Sequence, residues 1–130
     1  MPLARMALYQ QGIEIYLAPT ADCRDSWQAT LSHIACESRC YVIGCNQIIN
    51  ENSYPAELKS FLVNGHPSLP STGGSVIISP LGKTLAGPLF RAEGLVTAEI
   101  HHHEIIKAKM DFDVIGHYSR PDLFHYEWKQ

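Results

Sequence analysis

The sequence has no surplus of positive charge: 10 lysine and arginine residues stand against 13 aspartate and glutamate residues, for a net charge of −3. Proteins that grip a nucleic-acid backbone neutralise phosphates with clustered basic residues, so nucleic acid is excluded as a partner. Long apolar runs are missing too. The longest, such as Val76-Ile77-Ile78, fall far short of the roughly 20 residues that span a bilayer, and no membrane contact is expected. Met1-Pro2-Leu3-Ala4-Arg5 has no charged segment followed by an apolar one, so no secretory signal is read there. Cysteine is scarce. Cys23, Cys36, Cys40 and Cys45 would allow two disulfides by number, but without a secretory signal they read as free thiols of a cytoplasmic protein. Repeats and low-complexity tracts are absent as well.

What is present is globular. With 130 residues, 45% hydrophobic and 18% charged, the chain suits one domain and is too apolar to stay disordered. Leu3–Tyr9 are helix formers, and Gly12 can end that helix in the left-handed region. Ile13–Leu17 alternates as a strand closed by Pro19. Asp22 can cap a following helix, on which Trp27, Leu31, Ile34 and Ser38 form one stripe. Cys40–Cys45 is a short continuous apolar run, the pattern of a strand covered on both faces. From Asn46 to Gly74 the periodicity dissolves, apart from a helical turn near Ala56–Phe61. Ser75–Ser79 and Thr84–Ala86 flank a Pro80–Lys83 turn as a hairpin, Leu95–Ile100 alternates as a further strand, and Glu104–Met110 reads as a short helix. Strand–helix–strand passages plus a hairpin predict an α/β fold with a mixed sheet.

Several clusters invite a chemical reading. His33 lies one turn from Cys36 and could serve it as a base, but a buried structural thiol is the simpler reading of Cys36. His33, Cys36 and Cys40 do not converge as metal ligands if Cys40 starts the next strand. His101, His102 and His103 are adjacent, so their side chains point in different directions. No metal is expected.

Longer blocks are more specific. Met1–Tyr9 leading into Gly12–Tyr16, then Ala18-Pro19-Thr20-Ala21-Asp22, Trp27-Gln28 and His33-Ile34-Ala35 follow in order. Gly73-Gly74-Ser75, Ser79–Gly82, Leu85–Leu89, Glu93-Gly94 and the run Ala108–Asp122 continue them. In this colinear order the chain resembles the nitrilases, carbon–nitrogen hydrolases, over residues 1–124, and its carboxy-terminal portion in particular. The resemblance implies part of a four-layer α-β-β-α sandwich (nitrilase-like), with subunits that dimerise, spanning residues 1–130 as one partial domain. It also implies a cysteine nucleophile in a Cys-Trp-Glu motif, a glutamate base and a stabilising lysine, all upstream of Met1. No catalytic residue is therefore assigned in this chain, and no cofactor is implied. Without a nucleophile, covalent addition to a nitrile carbon is abolished rather than slowed.

By the same resemblance Pro19, Thr20, Ala21 and Asp22 border the nitrile pocket, with Asn46 and Gln47 as further candidates at the end of the next strand. Arg5 is expected to pair with a buried carboxylate in a supporting role, and Arg120 and Asp122 to fix the tail in a subunit contact. The expected function is that of a nitrilase-type hydrolase fragment, inactive alone, whose family converts nitriles and water to carboxylic acids and ammonia. The competing reading is a non-enzymatic oligomerisation module derived from the same fold. Either way, self-association or pairing with the missing upstream half is expected.

Overall fold

The computed structural model of the chain describes residues 1–22, 24–49, 54–57 and 71–127. Pro2 opens helix α1 (Pro2–Tyr9), where its fixed φ is pre-organised and its missing N–H is no loss. The helix runs out toward Gly12, whose φ of 71° is costly for any residue with a Cβ. Strand β1 (Ile15–Thr20) then leads through helix α2 (Ser26–Ser38) to strand β2 (Tyr41–Asn46). β1 and β2 pair in parallel, Ile15 opposite Tyr41 and Thr20 opposite Asn46, with α2 as the crossover such pairing needs.

Strand β3 (Gly73–Ile78) runs antiparallel to β2. It turns at Gly82, φ 79°, into strand β4 (Thr84–Phe90). The sheet is mixed, in the order β1-β2-β3-β4. Helix α3 (His102–Asp111) follows. Its start is tied to the sheet by Tyr41, whose hydroxyl donates to the His101 carbonyl at 3.1 Å and accepts the His101 N–H at 3.0 Å. Its end is tied to Arg39, which donates to Asp111 at 2.8 Å and lies over the Phe112 ring at 5.2 Å.

One face of the sheet is sealed. Leu31, Ile34 and Ala35 of α2 pack on Ala18, Val42, Val76 and Ile78. Gly44 makes room for this: a Cβ there would stand 2.6 Å from Leu31 Cδ1, closer than real carbon contacts allow. The opposite face, where alternation directs Ile15, Leu17, Ile43, Cys45 and Ile77, is partly open. Leu17 is 69% exposed and Ile15 41%.

Several expectations need correction. β1 runs through Pro19 to Thr20 rather than closing at Pro19, because an edge strand has no ladder bond to lose on its outer side. Asp22 does not cap α2. That helix starts behind Asp25, and the Asp22 carboxylate instead accepts the Arg24 backbone N–H at 2.9 Å. Cys45 is exposed, so β2 is not covered on both faces along its length. β2 and β3 are paired on both sides, while β1 stands at the edge of the sheet with its outer side unpaired. Leu95–Ile100 forms no strand. Of the expected turn at Ala56–Phe61, residues 56 and 57 are helical and the rest lies outside the described residues, as do Cys23 and most of the irregular stretch.

α1 is fastened to α2 by a three-membered network. The Tyr9 hydroxyl donates to Glu37 at 2.8 Å, and Arg5 Nε reaches Glu37 Oε2 and the Tyr9 hydroxyl, each at 3.2 Å. Burial, then the Glu37 carboxylate, push the Tyr9 phenol well above its usual range. For Arg5, burial lowers the pKa, but hydrogen bonds to Glu37 and Tyr9 more than offset it and raise the balance. A group whose folded pKa is raised stabilises fully below its unfolded value and loses that contribution only as pH climbs through the folded one. Tyr9→Phe should therefore cost about 2 kcal/mol at pH 7, the scale of a hydrogen bond to a charged group. In urea denaturation that difference should persist unchanged to pH 9; a loss under a few tenths of a kcal/mol would show that the network does not hold α1.

Candidate site at the strand ends

Because β1 and β2 are parallel, their carboxyl ends open on the same edge, the usual place for ligands in α/β sheets. Asn46 ends β2 there and is 9% exposed. Its Nδ2 donates to the backbone carbonyls of Asp22 and Gly73, each at 2.7 Å. Its backbone is held by Ser75 Oγ, which accepts the Asn46 N–H at 3.0 Å and donates to the Asn46 carbonyl at 3.2 Å. Ser71 Oγ donates to Asn46 Oδ1 at 3.4 Å, and Gln28 reaches the Gly74 carbonyl at 2.8 Å. One buried amide thus ties the β1–α2 loop to the start of β3.

Thr20 and Asp22 join the same cluster. Thr20 Oγ1 accepts the Asp22 N–H at 3.0 Å, and the Asp22 carboxylate is clasped by the Arg24 guanidinium. Those hydrogen bonds lower the Asp22 pKa to about 2, so this loop carries a fixed negative charge balanced by Arg24 at any physiological pH. Pro19 and Ala21 flank them, both exposed. Beside Asn46 lies a cavity of about 280 Å³ lined by Cys45, Ile48, Ser75, Leu89 and Glu93 among others. All five expected border residues meet at one edge. Gln47 is exposed and takes part through its carbonyl, which accepts from Ser71.

The other expected residues lie elsewhere. Arg5 sits against Glu37 on the helix layer. Arg120 and Asp122 pair with each other, both more than half exposed. Arg120 also lines a separate cavity of about 540 Å³ between α1 and the tail, where the Tyr126 hydroxyl donates to the Leu3 carbonyl at 2.6 Å. Gln28, Ser71 and Ser75 were not singled out from the sequence. Ser75 was legible only as part of Gly73-Gly74-Ser75, and Ser71 lies in the irregular stretch with no pattern of its own.

The cluster can bind and orient, but it holds no activated nucleophile. His33 leans toward Glu37 at 3.7 Å rather than serving Cys36. Cys36 is partly exposed, not the buried thiol expected, and faces the turn at Gly82. Burial pushes the Cys40 thiol up, with Ser38 partly opposing, which keeps it protonated and unreactive. Among the described residues, no group of three or more histidine, cysteine or acidic side chains could hold a metal ion. Each histidine of the triplet stands near a different carboxylate: Glu99, Glu14 and Glu104 respectively.

The carbon-nitrogen hydrolase family matches residues 1–110. The chain belongs to that family. It is 51% identical over 131 residues to Nitrilase 3 of Arabidopsis thaliana, covering 96% of this chain and 38% of that protein. It is 46% identical over 134 residues to an arylacetonitrilase of Trametes versicolor, covering 100% of this chain and 41% of the relative. Saccharomyces cerevisiae Nit3, of the nitrilase superfamily, superposes with a TM-score of 0.70 at 19% identity over 91% of this chain and 40% of its own. A Helicobacter pylori carbon-nitrogen hydrolase does so with 0.72 at 16% identity, over 95% and 44%. The α/β fold with a mixed sheet is that of the nitrilase superfamily. The chain spans about two fifths of the length of these curated relatives; the matches support membership of the family but not the carboxy-terminal placement expected from the sequence.

The hub at Asn46 gives a direct test. Asn46→Ala strips the Asp22 and Gly73 carbonyls of their donor in a buried setting, which should cost about 2 kcal/mol and loosen the Thr20–Asp22 loop. Urea denaturation with amide exchange of residues 20–22 would check this; an unchanged midpoint and unchanged exchange would refute the hub.

Proposed function

We propose that this chain is part of a nitrilase-type hydrolase, a family portion that borders the nitrile pocket and depends on the rest of the enzyme for its chemistry. The observation that carries the reading is identity of 44–51% to proteins named as nitrilases, over 95–100% of this chain. The parent reaction takes a nitrile and water to a carboxylic acid and ammonia, with no cofactor. A thiolate adds to the nitrile carbon, a base holds the thiol proton and a cation faces the developing negative charge. In this reading the nucleophile, base and lysine all come from outside the chain, while Pro19, Thr20, Ala21, Asp22 and Asn46 shape the pocket edge. The fixed Asp22–Arg24 pair and the Asn46 amide hold that edge rigid, as a positioned substrate requires. Arg5, through Glu37, holds α1 in place. The three described cysteines are free, in keeping with a reducing compartment such as the cytoplasm.

The chain alone should release no ammonia from aliphatic or aromatic nitriles, and release should appear when the remaining portion of a nitrilase is supplied. Ammonia from the purified chain that disappears in Cys36→Ala would overturn the reading.

The open sheet face favours a second property, association. Burying apolar surface contributes roughly 25 cal/mol per Å², so covering a few hundred Å² around Ile15 and Leu17 rivals the stability of a small domain. We expect Arg120 and Asp122 to stiffen the tail at a subunit contact. Sedimentation at micromolar concentration should show self-associated species; a monodisperse, cooperatively folded monomer would contradict this, and would also remove the support for an oligomerisation module.

A further inference from the structure

The cavity beside Asn46 has apolar walls and one exception. Ile48, Leu89 and Ala92 line a volume of about 280 Å³, near the lower bound of small-molecule sites at roughly 300 Å³. Its strong side-chain donors are spent. The Asn46 amide gives its protons to the Asp22 and Gly73 carbonyls, and Ser75 donates to the Asn46 carbonyl. Cys45 adds only a thiol, a weak donor. The exception is Glu93, the one charged side chain of the lining among the described residues.

Glu93 is exposed and, among the described residues, accepts no hydrogen bond and forms no ion pair, not even with Arg91 two residues before it. Asp22, which Asn46 also holds, is by contrast clasped by Arg24. The loop that carries Glu93 is nevertheless fixed. The Arg91 N–H donates to the Thr72 carbonyl at 2.8 Å, and Arg91 turns the chain off β4 at φ 56°. Gly94 lies so close on Leu89 that a Cβ there would stand 3.2 Å from Leu89 Cδ2. A free carboxylate held by its backbone at the rim of an apolar cavity suits a cation whose other atoms are apolar, the pairing of charge and stem that a lysine side chain shows.

We propose that Glu93 is a specificity-determining residue that takes the protonated amine of a short aliphatic aminonitrile, whose carbon chain lies against Ile48, Leu89 and Ala92. The inference rests on the proposed nitrilase reading and adds a substrate class to it. Asn46 belongs to both the cavity and the proposed pocket edge, so a nitrile facing that edge extends its far end toward Glu93. A carboxylate at that far end would meet like charge and no strong side-chain donor, which selects against it. Because Glu93 is exposed, the preference for the amine is about three- to five-fold, the upper part of the range for an exposed ion pair, and it shrinks as salt rises.

The test compares γ-aminobutyronitrile with pentanenitrile, which differ in carrying an ammonium or a methyl group at the far end. Both are titrated at neutral pH into the full chain while the amides of Cys45, Ser75, Leu89 and Gly94 are followed by NMR. The aminonitrile should bind about three- to five-fold tighter, and Glu93→Gln should bring the two to parity without changing pentanenitrile. Glu99→Gln, which removes an exposed carboxylate outside the cavity, should leave the preference intact. Ammonia release is measured in parallel from the chain joined to the portion of Arabidopsis thaliana Nitrilase 3 that it does not match, where kcat/KM should show the same ratio. A preference that vanishes in Glu93→Gln, with no ammonia from either nitrile, upholds the ammonium site and counts against the nitrilase reading. Ammonia released equally from both nitriles, with and without Glu93→Gln, does the reverse. Unmoved amides, equal binding of the two probes, a preference that survives Glu93→Gln, or one lost equally in Glu99→Gln overturns the proposal.

Discussion

A sheet has two faces, and here one contact decides which is sealed. Leu31, fully buried, descends from α2 onto β2 where Gly44 leaves no side chain to meet it, with Val76 beside it. A carbon at Gly44 would lift the helix or force Leu31 from its rotamer, since well-packed cores absorb an added methyl poorly. From that seat the rest follows. The stripe Leu31, Ile34, Ala35 and Ser38 closes over the parallel pair, α1 is drawn in against Glu37, and the crossover fixes where the β1–α2 loop must emerge.

That emergence point is the candidate site. A parallel pair joined by a helix places the carboxyl ends of both strands at one edge, and Asn46 makes the junction specific by bridging Asp22 and Gly73. The hub is polar and buried, so every member must be satisfied or its desolvation is lost to stability. Rigidity at the edge and the absence of an activated thiol within the described chain belong to the same picture. In the function proposed above, the chain supplies shape and the chemistry enters from elsewhere in the enzyme.

Much of this was legible in the sequence where the signal is local. Helix-forming residues marked α1, helical spacing marked α2, and apolar runs marked β2 and β3, because each signal is written in the element's own residues. The site loop was legible through the block Ala18–Asp22. Other features were not, for reasons that are physical. Asp22 looks like a helix cap, but Arg24 two residues on competes for its carboxylate. Pro19 looks like a strand terminator, but that rule depends on whether the strand is at an edge. Leu95–Ile100 has the alternation of a strand, yet a strand exists only with a partner, which no local pattern reveals. The part Ser71 plays depends on where a long irregular connection returns, and that is a tertiary fact.

The sheet is sealed on one face and open on the other, and paired truncations read this most directly. Unfolding of Leu31→Ala and Leu17→Ala should be compared in urea across protein concentration. Leu31→Ala should lose about 3 kcal/mol at every concentration, as for a buried leucine in a core. Leu17→Ala should lose little in dilute solution and more only where the chain associates. Equal, concentration-independent losses at both positions would contradict the account, because they would mean that the second face is already covered within a single chain.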